Sequence, residues 1–340
     1  MAEFARGALS YVGVGIQGAA IGTGVAATKF QTITGCNIKV DKPNRGWVPA
    51  FRKNLGYQVT RKGKSSTTGS ITGIMMPGTE YSNSLMWALV FGNNNTVSGS
   101  ATIGYTHVFN EPAAAANYPV YGATFEGLKG SYDNTLLWDF IGCFVKTLNI
   151  DIPEDGVITF TNDIIGVKEE TGGVISVPTY TSLLPYESSM AQVQIGTTLA
   201  GVADMEYVSA KLTIDTGVEM KMEGKTSVPT ARTFATNGMK VSGEINLNLK
   251  ADLTYYNYFK NDTEVAFKII ITHTTLAGAS SGYHTIQLEI PRAIIMGDAP
   301  EVSDEGVIPY TLKFEAGRHI SDGYTIKATI INDEAGTYTV

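Results

Sequence analysis

The sequence predicts a mainly β protein made of two tandem β-sandwich or partial-barrel domains, each with one short α-helix. Three observations lead there. Strand-forming residues dominate: 43% of the 340 residues are hydrophobic, 17 are Tyr and only 12 are Pro, with Thr, Val and Ile frequent. Hydrophobicity alternates with a period of two in many short stretches. The chain also repeats itself at an offset of 174 residues, and its length exceeds what one hydrophobic core ordinarily serves.

Tyr11-Val12-Gly13-Val14-Gly15-Ile16 opens the ordered pattern as an apolar, strand-like run. Gly13, Gly15 and Gly18 have the spacing of a dinucleotide fingerprint. The context is wrong for it, because Gly22 and Gly24 interrupt the helix that should follow and no βαβ unit succeeds it. The same stretch loosely resembles a secretory signal, with Arg6 before it and Val25-Ala26-Ala27 behind. Against that reading, Glu3 sits where basic charge belongs, and Gln17 and the glycines weaken the required apolar helix.

The repeat then becomes visible. Asn37-Ile38-Lys39-Val40-Asp41 recurs as Lys211-Leu212-Thr213-Ile214-Asp215, and Gly69-Ser70-Ile71-Thr72 as Gly243-Glu244-Ile245-Asn246. Tyr81, Asn83 and Leu85 likewise meet Tyr255, Asn257 and Phe259. Two equivalent segments read as helix: Glu80 to Phe91 behind an N-capping Thr79 and before Gly92, and Leu253 to Phe259 behind Asp252.

A third pair, Leu148 to Pro153 and Ile286 to Pro291, lies at a spacing of 138, so the first half is expected to carry about 36 extra residues. The Pro-flanked alanine run Glu111 to Pro119 reads as part of that insertion, in an exposed loop or arm. Both paired segments end in proline, which is expected to stop ladder pairing. Prolines 178 and 185 mark a boundary near residues 180 to 190. The expected domains are 1–185, with an insertion around 93–147, and 186–340.

No constellation of catalytic, cofactor-binding or metal-ligating residues emerges, and none is expected. His107, His273, His284 and His319 lack ligand spacing, although strands could bring His273 to His284. Asp151, Glu154 and Asp155 could pass for a glycosidase pair, but beside Pro153 and Gly156 they read as the acidic tip of a turn. Cys36 and Cys143 form no CxxC, leaving free thiols or a single bridge open. Trp47, Trp87 and Trp138 read as core or interface anchors. No segment holds the roughly 18 uninterrupted apolar residues of a membrane span.

Charge is uneven. The net charge is −7, yet residues 1 to 64 hold ten Lys or Arg against two Asp or Glu, and the remainder holds 15 against 30. Arg52, Lys53, Arg61, Lys62 and Lys64 form the basic cluster, on a long hairpin or loop expected between two repeated strands. Docked against the acidic remainder of a neighbouring copy, this arm would fix register between subunits. Gly243 to Leu249 alternates cleanly, with Ile245, Leu247 and Leu249 on one face and Glu244, Asn246 and Asn248 on a wet one.

Over nearly the whole chain, this order of motifs resembles the duplicated tail tube proteins of long-tailed bacteriophages. The resemblance rests on Tyr11 to Gly24 as the opening, Gly69-Ser70-Ile71 with the helix ending Leu89-Val90-Phe91-Gly92, and Val145 to Ile152 before a linker. In the second half it rests on Lys211 to Ile214, Val241 to Ile245, Ile286 to Pro291 and Gly306 to Gly317. Gln17 departs from the acidic residue such openings often carry.

The resemblance implies a structural virion protein without a cofactor, made in the host bacterial cytoplasm and located in the tail. Rings, trimeric with pseudo-sixfold symmetry, would stack head to tail into the conduit for DNA ejection. Its partners would be itself, tape measure, tail terminator and tail-tip proteins, with DNA only in passage and no membrane insertion. Inter-ring contact would fall to Arg52, Lys53, Arg61, Lys62 and Lys64, and Glu244, Asn246 and Asn248 would line the lumen. The rival readings are a contractile-tail or injection-system tube, and a β-sandwich adhesin or carbohydrate-binding module.

Overall fold

Nearly every alternating stretch of the sequence becomes a strand in the computed structural model. It describes residues 11–17, 22–41, 44–47, 59–62, 66–92, 95–111, 122–128, 137–171, 173, 176–222, 231–235, 238–249, 254–297, 308–336 and 338. In chain order the first set is β1 (Tyr11–Ile16), β2 (Lys29–Gln31), β3 (Ile33–Cys36), β4 (Lys39–Asp41), the hairpin β5 (Asn44–Trp47) and β6 (Val59–Lys62), and β7 (Ser66–Ile74). It continues with α1 (Leu85–Phe91), the hairpin β8 (Asn95–Ser100) and β9 (Gly104–Asn110), β10 (Ala123–Leu128), β11 (Leu137–Ile152), β12 (Thr159–Gly166) and β13 (Lys168–Thr171). The second set is β14 (Ala191–Gly196), β15 (Ala203–Met205), β16 (Ser209–Asp215), the hairpin β17 (Val218–Met222) and β18 (Ala231–Ala235), and β19 (Lys240–Asn248). It ends with α2 (Thr254–Lys260), β20 (Glu264–Leu276), β21 (Tyr283–Met296), β22 (Pro309–Ala316) and β23 (Lys327–Asn332).

The ladders place these strands in the same order twice, all antiparallel. β3 and β4 pair with β7, β7 with β12 and β12 with β11. In the second set β16 pairs with β19, β19 with β22 and β22 with β21. β11 also pairs with β16, Leu148 opposite Ile214, which joins the two sets into one sheet of eight strand positions. A cover sheet lies over each set: β2, β1, β10, the start of β11 and β13 on one, and β15, β14, β20, the start of β21 and β23 on the other.

The core fills the gap between shared sheet and covers, as in a β-sandwich. Tyr81 sets its ring against Phe125 of a cover and Phe160 of the shared sheet, with centroids 6.2 and 6.1 Å away. In the second set Phe267 and Phe314 stack at 4.4 Å across the same gap. Each shared-sheet aromatic lies over a glycine directly opposite it in the ladder, Phe160 over Gly73 and Phe314 over Gly243. A Cβ there would come within 2.8 and 2.5 Å of the ring.

The long strands β11 and β21 cross from cover to shared sheet, and a local irregularity marks each crossing. In β11 it is Gly142, at φ 65°, and a register shift before Thr147. In β21 the ladder slips between Ile290 and Ala293, where Pro291 sits. Pro291 therefore does not end its strand, contrary to the sequence expectation; its missing N–H falls at the bulge, and β21 runs on to Met296.

This also changes the third repeat pair. Leu148–Ile152 lies between β12 and β16, whereas Ile286–Ile290 lies between β20 and β23. The 138-residue spacing thus compares strands of different layers. In the second set, the place beside β22 that answers β11 beside β12 belongs to Ala293–Met296. Alternation followed by proline occurs in both layers, and sequence carries no mark of layer.

The helices match in place but not in surroundings. Every residue of α1 is buried, and none of α2 is. The hairpin β8–β9, which has no counterpart among the described residues of the second set, covers α1 and brings Phe109 within 6.4 Å of Phe91. β9 then pairs with β23, so part of the first half extends the cover sheet of the second. α1 also starts later than expected. Tyr81–Asn83 forms a 3-10 turn and Ser84 is the N-cap residue, while Thr79 caps nothing. Glu80 stands before that turn, with its carboxylate bonded to the Thr32 and Thr181 N–H groups and not to the helix. Gly92, at φ 74°, closes the helix as expected, and Asp252 lies outside the described residues.

Candidate functional site: the open face and edges of the shared sheet

One side of the shared sheet faces the core and the other is open. Strict alternation puts Leu212, Ile214, Ile245, Leu247, Leu312 and Phe314 inward. Their neighbours Lys211, Thr213, Glu244, Asn246, Thr311 and Lys313 point out. The outward residues form rows across the strands, because antiparallel register places them side by side. One row reads Asp151, Lys211, Glu244, Lys313. Lys211 Nζ lies 4.0 Å from Asp151, and Lys313 Nζ lies 3.5 Å from Glu244.

The rows on either side are mainly hydroxyl and amide, with Glu315 at the end of one. Thr213 Oγ1 donates to Asn149 Oδ1 at 2.8 Å, and the Thr72 and Thr161 hydroxyls meet at 3.1 Å. Asn246 donates to Ser209 Oγ at 2.9 Å and accepts from Thr311 Oγ1 at 2.8 Å. Glu244, Asn246 and Asn248 thus all stand on the open face, and Asn248 is exposed. The face is mixed in charge: Lys39, Lys211, Lys240 and Lys313 share it with Asp41, Asp151, Asp163, Asp215, Glu244 and Glu315.

The sheet ends in two edges. At one end β4 pairs with β7 alone among the described residues. Asn37 N–H donates to Ser70 O at 3.0 Å, so along the ladder Val40 N–H points away from β7. At the other end Pro309–Leu312 of β22 pairs with β19 alone among the described residues, and Ile294 and Met296 are exposed beside it.

The basic cluster is only partly placed. Arg61 and Lys62 lie on β6, opposite Arg45 and Asn44, in the hairpin expected between repeated strands. Arg52, Lys53 and Lys64 lie outside the described residues. Its counterpart in the second set is the hairpin β17–β18.

The remaining chemistry-bearing residues are absorbed by the fold. Gly13 and Gly15 lie in a strand between β2 and β10, where a Cβ on Gly15 would come within 2.4 Å of Ala26 O. Buried Gln17 takes the Gly142 N–H at 3.0 Å and donates to Thr23 O at 2.6 Å and Thr124 Oγ1 at 3.1 Å. His107, His273 and His284 are buried, and desolvation holds each below its ordinary pKa. His319 is half-buried and bonded to Asp322 at 2.7 Å. Glu154 and Asp155 stand in the exposed turn between β11 and β12. Trp87 is buried, Trp138 packs against the core, and Cys143 is buried. Both helices have seven residues, too few to cross a membrane.

Of the four carboxylates buried among the described residues, Glu80, Glu111, Glu126 and Glu289, two hold the chain between the halves. Glu126 accepts the Ser176 N–H at 2.8 Å, the Ser176 hydroxyl at 2.6 Å and the Tyr11 hydroxyl. Glu80 accepts the Thr32 N–H at 3.2 Å and the Thr181 N–H at 3.1 Å, and burial raises its pKa despite these bonds. Together they pin the segment that links β13 to β14. Alternation gave no signal of this, since Glu126 shares its phase with Thr124 and Leu128 and not with Ala123 and Phe125.

Among the described residues these features make a scaffold with an open polar face and two unpaired sheet edges. No curated protein matches the chain. A family model described as phage tail tube protein matches residues 8–316. The chain therefore belongs to the phage tail tube protein family, structural proteins that self-assemble into the tube of the virion's tail.

Proposed function

We propose that three copies close into a ring with pseudo-sixfold symmetry and that rings stack into the conduit for DNA ejection. The observation that carries this reading is the joint between β11 and β16, which among the described residues leaves β4 at one end of the shared sheet, and Pro309–Leu312 of β22 with Ile295 and Met296 of β21 at the other, without a further strand partner. Joining those edges between copies would repeat the internal joint, remove both open edges and close the shared sheets into a barrel. A head-to-tail contact of this kind makes a ring when its rotation closes.

In this reading the chain is two tandem domains, 1–185 and 186–340, with the insertion around 93–147 supplying β8–β9. The open face with Glu244, Asn246 and Asn248 lines the lumen. The basic hairpin with Arg52, Lys53, Arg61, Lys62 and Lys64 grips the acidic remainder of the next ring. The tube ends meet tail terminator and tail-tip proteins, and the lumen holds tape measure protein before DNA passes.

Val40→Pro tests the edge directly. It removes an N–H that points away from β7, so the chain should keep its circular dichroism and melting temperature yet form neither rings nor tubes. Polymerisation of the variant at the unsubstituted rate would overturn the edge-to-edge closure.

A further inference from the structure

The row of charges across the open face has an arrangement that a solvated polar surface does not require. Sign alternates at every ladder step, Asp151, Lys211, Glu244, Lys313, and each lysine has a carboxylate within 4.0 Å. The flanking hydroxyls and amides are bonded to one another across strands: Thr213 to Asn149, Ser209 to Asn246 and Asn246 to Thr311.

We propose that this face is built to be non-adhesive toward polyphosphate: Asp151 and Glu244 act as internal counter-ions that occupy Lys211 and Lys313, and the side-chain bonds between neighbouring strands occupy the polar donors. Phosphate affinity comes from releasing the counter-ions condensed on the nucleic acid when a free cation replaces them. A lysine already neutralised by a carboxylate one strand away releases little, because the incoming phosphate must first displace that carboxylate. At about half exposure neither ion pair adds much stability, so the pairing is better understood as control of the surface field. The inference rests on the lumen reading for its purpose, since a conduit that held phosphate would stall its cargo. The pairing itself belongs to the single chain.

The test uses the unassembled full-length chain and a fluorescent 20-base-pair DNA duplex at low salt. The double variant Asp151→Asn/Glu244→Gln should bind about tenfold more tightly than the unsubstituted chain. Its salt dependence should steepen by about 0.9 in log–log slope for each phosphate newly contacted. Adding Lys211→Gln and Lys313→Gln should return affinity to the starting level. A double variant with unchanged affinity, or a quadruple variant that keeps the gain, would overturn the pairing proposal.

The lumen reading is tested separately by Thr213→Cys in assembled tubes. Protection from a bulky polyethylene-glycol maleimide supports it, and rapid labelling contradicts it whatever the duplex does.

Discussion

Lys29 and Glu334, 305 residues apart, form a 2.7 Å ion pair that ties β2 to the chain just beyond β23. The Tyr338 hydroxyl donates to the same carboxylate oxygen at 2.6 Å, and Asn332 donates to Asn83 O at 3.0 Å beside it. Asn332, Glu334 and Tyr338 are thus fastened to the first half by charge and hydrogen bonds, where β9 already holds β23 by a ladder.

Lys29→Ala should therefore lower stability by about 1–3 kcal/mol. It leaves a mostly buried carboxylate short of its cation, and partial exposure of the pair keeps the loss below that of a fully buried one. Chemical denaturation checks the value. A midpoint unchanged from the parent would show that the clasp is incidental.

The two helices should respond differently to truncation. Leu89→Ala in fully buried α1 should cost about 2–5 kcal/mol, while Tyr256→Ala in α2 should cost less than half of that. Equal losses in thermal unfolding would contradict the role of the β8–β9 hairpin as the cover of α1.

Acid should act through opposing groups. His107, His273 and His284 have lowered folded pKa values, so their stability contribution is present above the unfolded value of about 6.5 and is lost as pH falls. Asp139 has the opposite sign. Burial first, then the charges of Glu126 and Glu170, raise it to about 6, so its contribution is full below the ordinary 3.8 and is lost as pH rises through 6. Net stability should rise between pH 5 and 7, and Asp139→Asn should make that rise steeper. Melting curves that stay flat with pH in both proteins would refute the assignment.

Gln17→Glu should also destabilise. The glutamine donates to Thr23 O and Thr124 Oγ1 from a buried site, and a carboxylate has no hydrogen to offer Thr23 O. A loss of about 1–3 kcal/mol at pH 7, shrinking near pH 4 where the acid can donate, is the expected pattern. Stability equal to the parent at pH 7 would mean that the opening tolerates either residue.

The repeat was legible because it lies in local alternation. Lys240–Asn248 is a strand whose outward residues match the sequence expectation one by one, and the 174-residue offset brings β4 to β16 and β7 to β19. What stayed hidden depends on contacts between distant residues. A bulge at Pro291 carried β21 past its expected end, and the Glu80 carboxylate, expected in the first turn of α1, bonds Thr181 of a distant segment, since neither neighbouring sequence names its partner. Glu244 was legible as a wet-face residue, whereas its place in a row with Asp151, Lys211 and Lys313 needed the register of four strands.

A helical reconstruction of the assembled tube by electron cryomicroscopy tests the central claim most directly. It should show three copies of the shared sheet closing one barrel, Lys39–Asp41 paired with a neighbouring copy, and Asp151, Lys211, Glu244 and Lys313 facing the channel. A tube whose barrel leaves β4 unpaired, or turns that row to the outside, would contradict the account.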